Sequence, residues 1–186
     1  MAGLLVVESL WGNTERLGRE VAAAFGADMQ VVDTVSAPDK LADDVDFLIV
    51  GGPTHAFTMS TAATRESATQ QGAQSIPARG IREWIESVQP PTRAVPAATF
   101  DTRVVKPRLP GSAAKKAMKK LVARGFRPAA KPETFGVHGY GGPIADGEVE
   151  RARAWGAELA ALGPSRLTSA PPTIAPRGDH RRRDPE

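Results

Sequence analysis

Residues 4 to 25 read as an apolar strand, a six-residue loop and an amphipathic helix in immediate succession, and no other stretch constrains the fold as strongly. Leu4-Leu5-Val6-Val7-Glu8 is a buried-strand run, and Leu17, Val21, Ala24 and Phe25 recur at helical spacing. Ser9-Leu10-Trp11-Gly12-Asn13-Thr14 therefore joins a strand end to a helix start. At such a start, unpaired amide N–H groups and the positive end of the helix dipole face outward, so an anion can be held without a cationic side chain. Ser9, Asn13 and Thr14 add hydroxyl and amide donors, and Gly12 lets the backbone approach a ligand closely. The expectation is a phosphate cradle. The alternative at this point is a plain strand-to-helix turn with Asn13 as its cap.

The kind of phosphate compound follows by exclusion and then by resemblance. The loop has no Lys and no G-x-x-x-x-G-K-S/T run, which removes a mononucleotide P-loop. It also lacks the G-x-G-x-x-G turn of dinucleotide folds, although Asp33, at the end of the second apolar run, would suit a ribose. The loop resembles that of the flavodoxin family, which reads roughly T-x-T/S-G-N-T and wraps the phosphate of FMN. Ser9, Gly12, Asn13 and Thr14 fit that pattern, and Trp11 departs from it by standing where the family has a hydroxyl.

Along the chain, strand-like and helix-like runs alternate. Gln30 to Val35 reads as a second strand, followed by a short helix at Pro38-Asp39-Lys40-Leu41. Asp46-Phe47-Leu48-Ile49-Val50, ending in Gly51-Gly52-Pro53, has the continuous apolar character of a central strand buried on both faces. A polar helix is expected near Ala63 to Gln71, and Ile81, Trp84, Ile85 and Val88 define the next one. Ala94 to Phe100 is a fourth strand candidate, in which Pro96 removes a ladder N–H and argues for a bulge or a shortened strand. A helix opening at Gly111-Ser112 buries Ala114, Met118, Leu121 and Val122, and turns Lys115, Lys116, Lys119 and Lys120 outward. Glu133 to Val137 is a fifth strand, followed by a Gly-rich turn and a last helix from about Glu148. Such alternation implies an α/β domain with a parallel sheet covered on both faces. The resemblance, over residues 3 to 162, implies a three-layer, doubly wound, five-stranded parallel sheet of order 2-1-3-4-5.

Ligands of open α/β sheets bind beyond the carboxyl ends of the strands. Three loops are expected to meet there: Ser9 to Thr14, Pro53-Thr54-His55-Ala56-Phe57-Thr58-Met59, and Phe100-Asp101-Thr102-Arg103. By resemblance, the second and third grip the isoalloxazine ring. The site residues expected on this basis are Ser9, Leu10, Trp11, Gly12, Asn13, Thr14, Pro53, Thr54, His55, Phe57, Phe100, Asp101 and Thr102, with His55 and Phe57 on one side of the ring and Phe100 on the other. Phe57 and Phe100 as caps of the sheet remain the structural alternative. Arg103, if aimed at the ring, would favour its reduced, anionic form.

The chain has no Cys, so thiol redox chemistry and iron–sulfur clusters are excluded, and electron chemistry would have to sit on a bound organic cofactor. Net charge is +3, unevenly spread. Ten Lys or Arg and no acid lie between Arg103 and Pro132, and residues 163 to 186 add five Arg against three acids, leaving −9 for the rest. One basic face on an acidic remainder is the expectation. Residues 163–186, rich in Pro, Ser and Arg, read as a disordered tail. The opening apolar run is too short for a secretory signal or a membrane span, which points to the cytoplasm. Three functions are compatible with these residues: an FMN-bound electron-transfer protein, an FMN-dependent reductase passing hydride from NAD(P)H to a quinone-type acceptor, and a flavin-free interaction module. The expected partners are a redox protein or a small acceptor, with NAD(P)H for the reductase; no membrane partner is expected, and a solvated tail is favoured over a nucleic-acid contact for Arg181-Arg182-Arg183.

Overall fold

In a computed structural model describing residues 1–107 and 110–162, the elements in chain order are β1 (Gly3–Val7), α1 (Asn13–Phe25), β2 (Met29–Asp33), β3 (Phe47–His55), β4 (Thr58–Met59), α2 (Ala62–Gln70), α3 (Ile81–Ser87), β5 (Pro96–Val104), α4 (Ala113–Ala123), β6 (Arg127–Pro128), β7 (Glu133–Val137) and α5 (Glu148–Ala161). The expected tail, residues 163–186, lies outside the described residues.

β1 pairs in parallel with β2 on one edge and β3 on the other, and β5 lies parallel to the far edge of β3. β6 and β7 then share the free edge of β5, β6 pairing at Pro96 and Ala97 and β7 from Phe100 to Val104. The order is thus the doubly wound 2-1-3-4-5, with the last strand split in two and a short antiparallel β4 folded back on β3. That gives seven strands where five were expected.

Strand periodicity sorts the core into two layers. Leu4, Val6, Leu48, Val50 and Ala97 face Ile81, Trp84 and Ile85 of α3 and Leu121 of α4. Leu5, Val7, Phe47, Ile49, Ala98 and Phe100 face Leu17 and Val21 of α1 and Trp155 and Leu159 of α5. β3 is buried on both faces along its apolar run, as a central strand must be.

Three expectations are corrected. Pro96 does not shorten its strand: it is the first residue of a nine-residue β5, where proline is tolerated because ladder pairing to β3 begins at the next residue. No helix forms at Pro38 to Leu41. That segment is instead held by its carbonyls, Pro38 O accepting from the Trp84 indole at 3.1 Å and Ala37 O from Arg79 at 2.7 Å. Val122 is exposed rather than buried.

Gly51 and Gly52 at the carboxyl end of β3 are needed for close approach. A Cβ on Gly51 would lie 2.2 Å from the Phe100 ring, and one on Gly52 2.5 Å from Ile81 Cδ1. We predict that Gly51→Ala destabilises the fold by about 1–3 kcal/mol, because overpacking the Phe100 ring outweighs the ~0.5–1 kcal/mol that removing a strand glycine would otherwise contribute. A urea midpoint at or above that of the parent would contradict this packing.

Candidate functional site

The carboxyl ends of β1, β3 and β5 open onto a cavity of about 340 Å³. Leu10, Trp11, Asn13 and Thr14 form one wall, Pro53 to Phe57 a second, and Thr102, Arg103 and Val104 a third. The sequence did not announce the rest of the lining, which comes from the turn after β7, with Gly139 and Tyr140, and from α2, with Thr64, Ser67 and Ala68. The rule that ligand loops follow parallel strands extends to the turn after β7, so Tyr140 was within reach of sequence reasoning. α2 was not, because its composition carries no sign of which face turns inward.

Of the first loop, Ser9 and Gly12 do not line this cavity but an adjoining groove, with Glu15, Arg19 and Asp33. α1 is entered through Gly12 at φ 83 with no side-chain cap, so Asn13 does not cap the helix. The first intrahelical bond runs from Arg16 N to Gly12 O at 2.9 Å, and no amide from Ser9 to Glu15 donates to an acceptor among the described residues. Ser9 Oγ is buried with no partner among them. A buried hydroxyl is almost always paired, so Ser9 Oγ is placed for an acceptor, and the amides of the helix start are open to the same one. Thr14 Oγ1 and Thr102 Oγ1 lie 2.7 Å apart. One hydroxyl donates to the other, which leaves a single hydrogen free to point elsewhere.

The aromatic lining differs from expectation. Phe100 is fully buried and meets Phe135 and Trp155 edge-on at 5.8 and 6.0 Å, so it packs the core and caps the sheet. Its stacking place is taken by Trp11, whose indole stacks on Tyr140 at 5.9 Å with 23° between planes and lies 6.0 Å from His55. Phe57 sits at the tip of the two-residue β3–β4 hairpin and is half exposed. Ala56 and Phe57 have φ 45° and 69°, left-handed values that cost a side-chain-bearing residue on the order of 1 kcal/mol each. Strain of that kind collects at ligand sites.

Two expected side chains serve the scaffold. Asp101 Oδ2 accepts from Thr54 Oγ1 at 3.0 Å, Ser112 Oγ at 2.6 Å and Ala114 N at 2.9 Å, while Thr54 Oγ1 accepts from Ala113 N at 2.9 Å. Together they satisfy the amino terminus of α4 and bind it to β3 and β5. Asp101 does not line the cavity, although its Oδ1 is buried without a partner among the described residues.

A buried polar network holds α2 against the cavity. Glu8, at the end of β1, accepts from the Ser60 hydroxyl and, at 2.9 Å, from the Ile81 amide that starts α3. Arg65 of α2, 3% exposed, donates to Ser60 Oγ at 2.9 Å and grips Glu83 with both terminal nitrogens at 3.2 Å. Burial raises the Glu8 carboxyl above its ordinary range, against the Ser60 and Ile81 hydrogen bonds and the Arg65 charge. Burial, and then the charge of Arg65, lower His55, so its ring faces the cavity neutral at neutral pH.

Neither a protein-family model nor a curated protein matches the chain. Solved structures do. Oxidised flavodoxin 2 from Bacillus cereus is 15% identical, with a TM-score of 0.64 over 88% of this chain and 100% of that one. A flavodoxin from Streptococcus pneumoniae TIGR4 is 16% identical, with a TM-score of 0.63 over 88% and 100%. The flavodoxin, WrbA-like protein from Agrobacterium tumefaciens is 17% identical, with a TM-score of 0.54 over 87% and 96%. The fold is flavodoxin-like, and among the described residues no helix is long and apolar enough to cross a membrane.

The raised Glu8 value makes a pH prediction. A carboxyl raised in the folded state adds stability that is full below its unfolded value, ordinarily 4.5, and is lost as pH rises through the folded value. Glu8→Gln, which keeps an acceptor and carries no charge, removes that slope. Urea midpoints measured from about pH 4 to 8 should show the parent losing stability relative to Glu8→Gln as pH rises, and parallel curves would contradict the assignment.

Proposed function

We propose that this chain, built on the flavodoxin-like fold, binds FMN non-covalently and serves as an electron-transfer protein. The observation that carries the reading is the donor set at the start of α1: amides from Ser9 to Glu15 and a buried Ser9 hydroxyl with no partner among the described residues, beside a cavity with aromatic walls. A phosphate monoester supplies the acceptors these donors lack, and the helix dipole adds to its attraction. Ser9, Gly12, Asn13 and Thr14 would hold the phosphate. Trp11, His55, Phe57 and Tyr140 offer faces for a planar ring, and Pro53, Thr54 and Thr102 shape the walls around it.

Bound FMN supplies the capacity to accept and return one or two electrons. The protein residues bind, orient and shield. Trp11 and Tyr140 cover one side of the cavity, and α2, fixed by Arg65, limits water on another. His55, uncharged, presents a neutral donor or acceptor to the site. At about 340 Å³ the cavity lies within the ~300–1,000 Å³ usual for ligand sites.

Protein purified with FMN present should keep flavin absorption bands through desalting, without oxidising NAD(P)H when a quinone is added. A colourless protein would overturn the assignment, and quinone-dependent NADPH oxidation would replace the carrier with the reductase. The Arg103 guanidinium lines the cavity and donates to Gly111 O at 3.0 Å. A cation there favours the reduced, anionic ring. Arg103→Gln should therefore lower the midpoint potential by tens of millivolts, since a screened charge a few ångströms away contributes about 1 kcal/mol. An unchanged potential would remove Arg103 from the site.

A further inference from the structure

α4 breaks a local electrostatic rule. Lys115 and Lys116 stand in its first turns with no acid, at the end of the helix where the dipole favours negative charge. With Lys106 before the helix and Lys119 one turn on, they are exposed and form no ion pair among the described residues. The neighbouring cations are committed to the fold: Lys120 pairs with Glu86 at 2.7 Å, and Arg124 donates to the carbonyls of Glu86 and Val88. The buried Asp101 carboxylate behind the helix start offsets part of the cost of placing lysines there. A conflict of this kind, kept and compensated, marks a surface with a task beyond folding.

This basic cluster starts at the cavity mouth. Gly111, just ahead of α4, packs on the β3–β4 hairpin so tightly that a Cβ there would lie 2.1 Å from the Phe57 carbonyl oxygen. At ~1.5 Å rise per residue, Lys115 to Lys119 fall within about 10 Å of the helix start. Phe57 is 50% exposed and Tyr140 63%, among the few large apolar side chains open to solvent in the described residues. Exposed aromatics at a cavity mouth with unpaired cations beside them match the layout of a protein-docking patch, with an apolar centre and a charged rim.

We infer that the face formed by Phe57, Tyr140, Lys106, Lys115, Lys116 and Lys119 docks an acidic protein over the mouth of the cavity. Charge complementarity decides the partner: a stretch with ten cations and no acid, in a chain whose remainder apart from the tail is net negative, attracts an acidic surface and orients it cavity-first. The role of this docking in electron transfer rests on the flavin reading. The docking itself does not.

The test measures binding of the full chain, with and without FMN, to an acidic plant-type ferredoxin as probe, to basic cytochrome c, to phosphatidylserine vesicles and to a short DNA duplex, at low and at physiological salt. The ferredoxin should bind saturably in both flavin states and weaken with salt. It should lose about tenfold or more in affinity with Lys115→Glu/Lys116→Glu/Lys119→Glu, and keep it with Lys40→Glu at the amino-terminal end of the sheet. Lys119→Glu alone should give a smaller loss in the same direction, should the triple variant fold poorly. No ferredoxin binding, tighter binding of cytochrome c, vesicles or DNA, or affinity indifferent to the lysines would overturn the proposal. The flavin-free protein presents the same face, so loss of docking and loss of FMN binding read out separately.

Discussion

A parallel sheet buried on both faces leaves one place for polar chemistry, beyond the carboxyl ends of its strands. β3 enforces that constraint here. Its apolar run is closed to solvent on both sides, and Gly51 and Gly52 let Phe100 and Ile81 press onto the backbone where the strand leaves the core. Everything polar near this strand is pushed to its end, where the first loop, the hairpin and the β5 loop converge. The amides at the start of α1, without a partner among the described residues, gather there beside the buried Ser9 hydroxyl, and a buried donor without an acceptor costs more than a hydrogen bond contributes.

The polar groups around the cavity divide into two sets with different duties. Asp101, Thr54 and Ser112 are spent on the amino terminus of α4, and Glu8, Ser60, Arg65 and Glu83 on anchoring α2 and α3. These groups hold the walls. The amides of the first loop and the Ser9 hydroxyl have no partner within the described residues, and that contrast within one small region is why the loop reads as a binding element. The same division runs through the cations, since Arg65, Arg79, Arg124 and Lys120 are tied down while Lys115, Lys116 and Lys119 form no ion pair among the described residues.

What could be read from the sequence follows the range of the forces involved. β1, the first loop and α1 were legible because periodicity and loop composition are local, and β3 because only a central strand tolerates such an unbroken apolar run. The split of the last strand into β6 and β7 was not, since it depends on which lengths of the β5 edge each piece reaches. Phe100 was misplaced for a related reason: the expected strand stopped there and the resemblance put it in a ligand loop, but β5 runs on to Val104 and the ring packs on Gly51 of another strand. Trp11, which departs from the family pattern, became the stacking partner of Tyr140 from across the sheet, a contact no local signal carries.

The central claim is that the turn after β1 captures a phosphate through main-chain donors. Titrating the flavin-free protein with FMN and with riboflavin, which differ only by that phosphate, tests it most directly. Two charge-assisted hydrogen bonds at ~1.5–3 kcal/mol each imply that FMN binds at least about 100-fold tighter. Equal affinities, or no binding of either, would contradict the account.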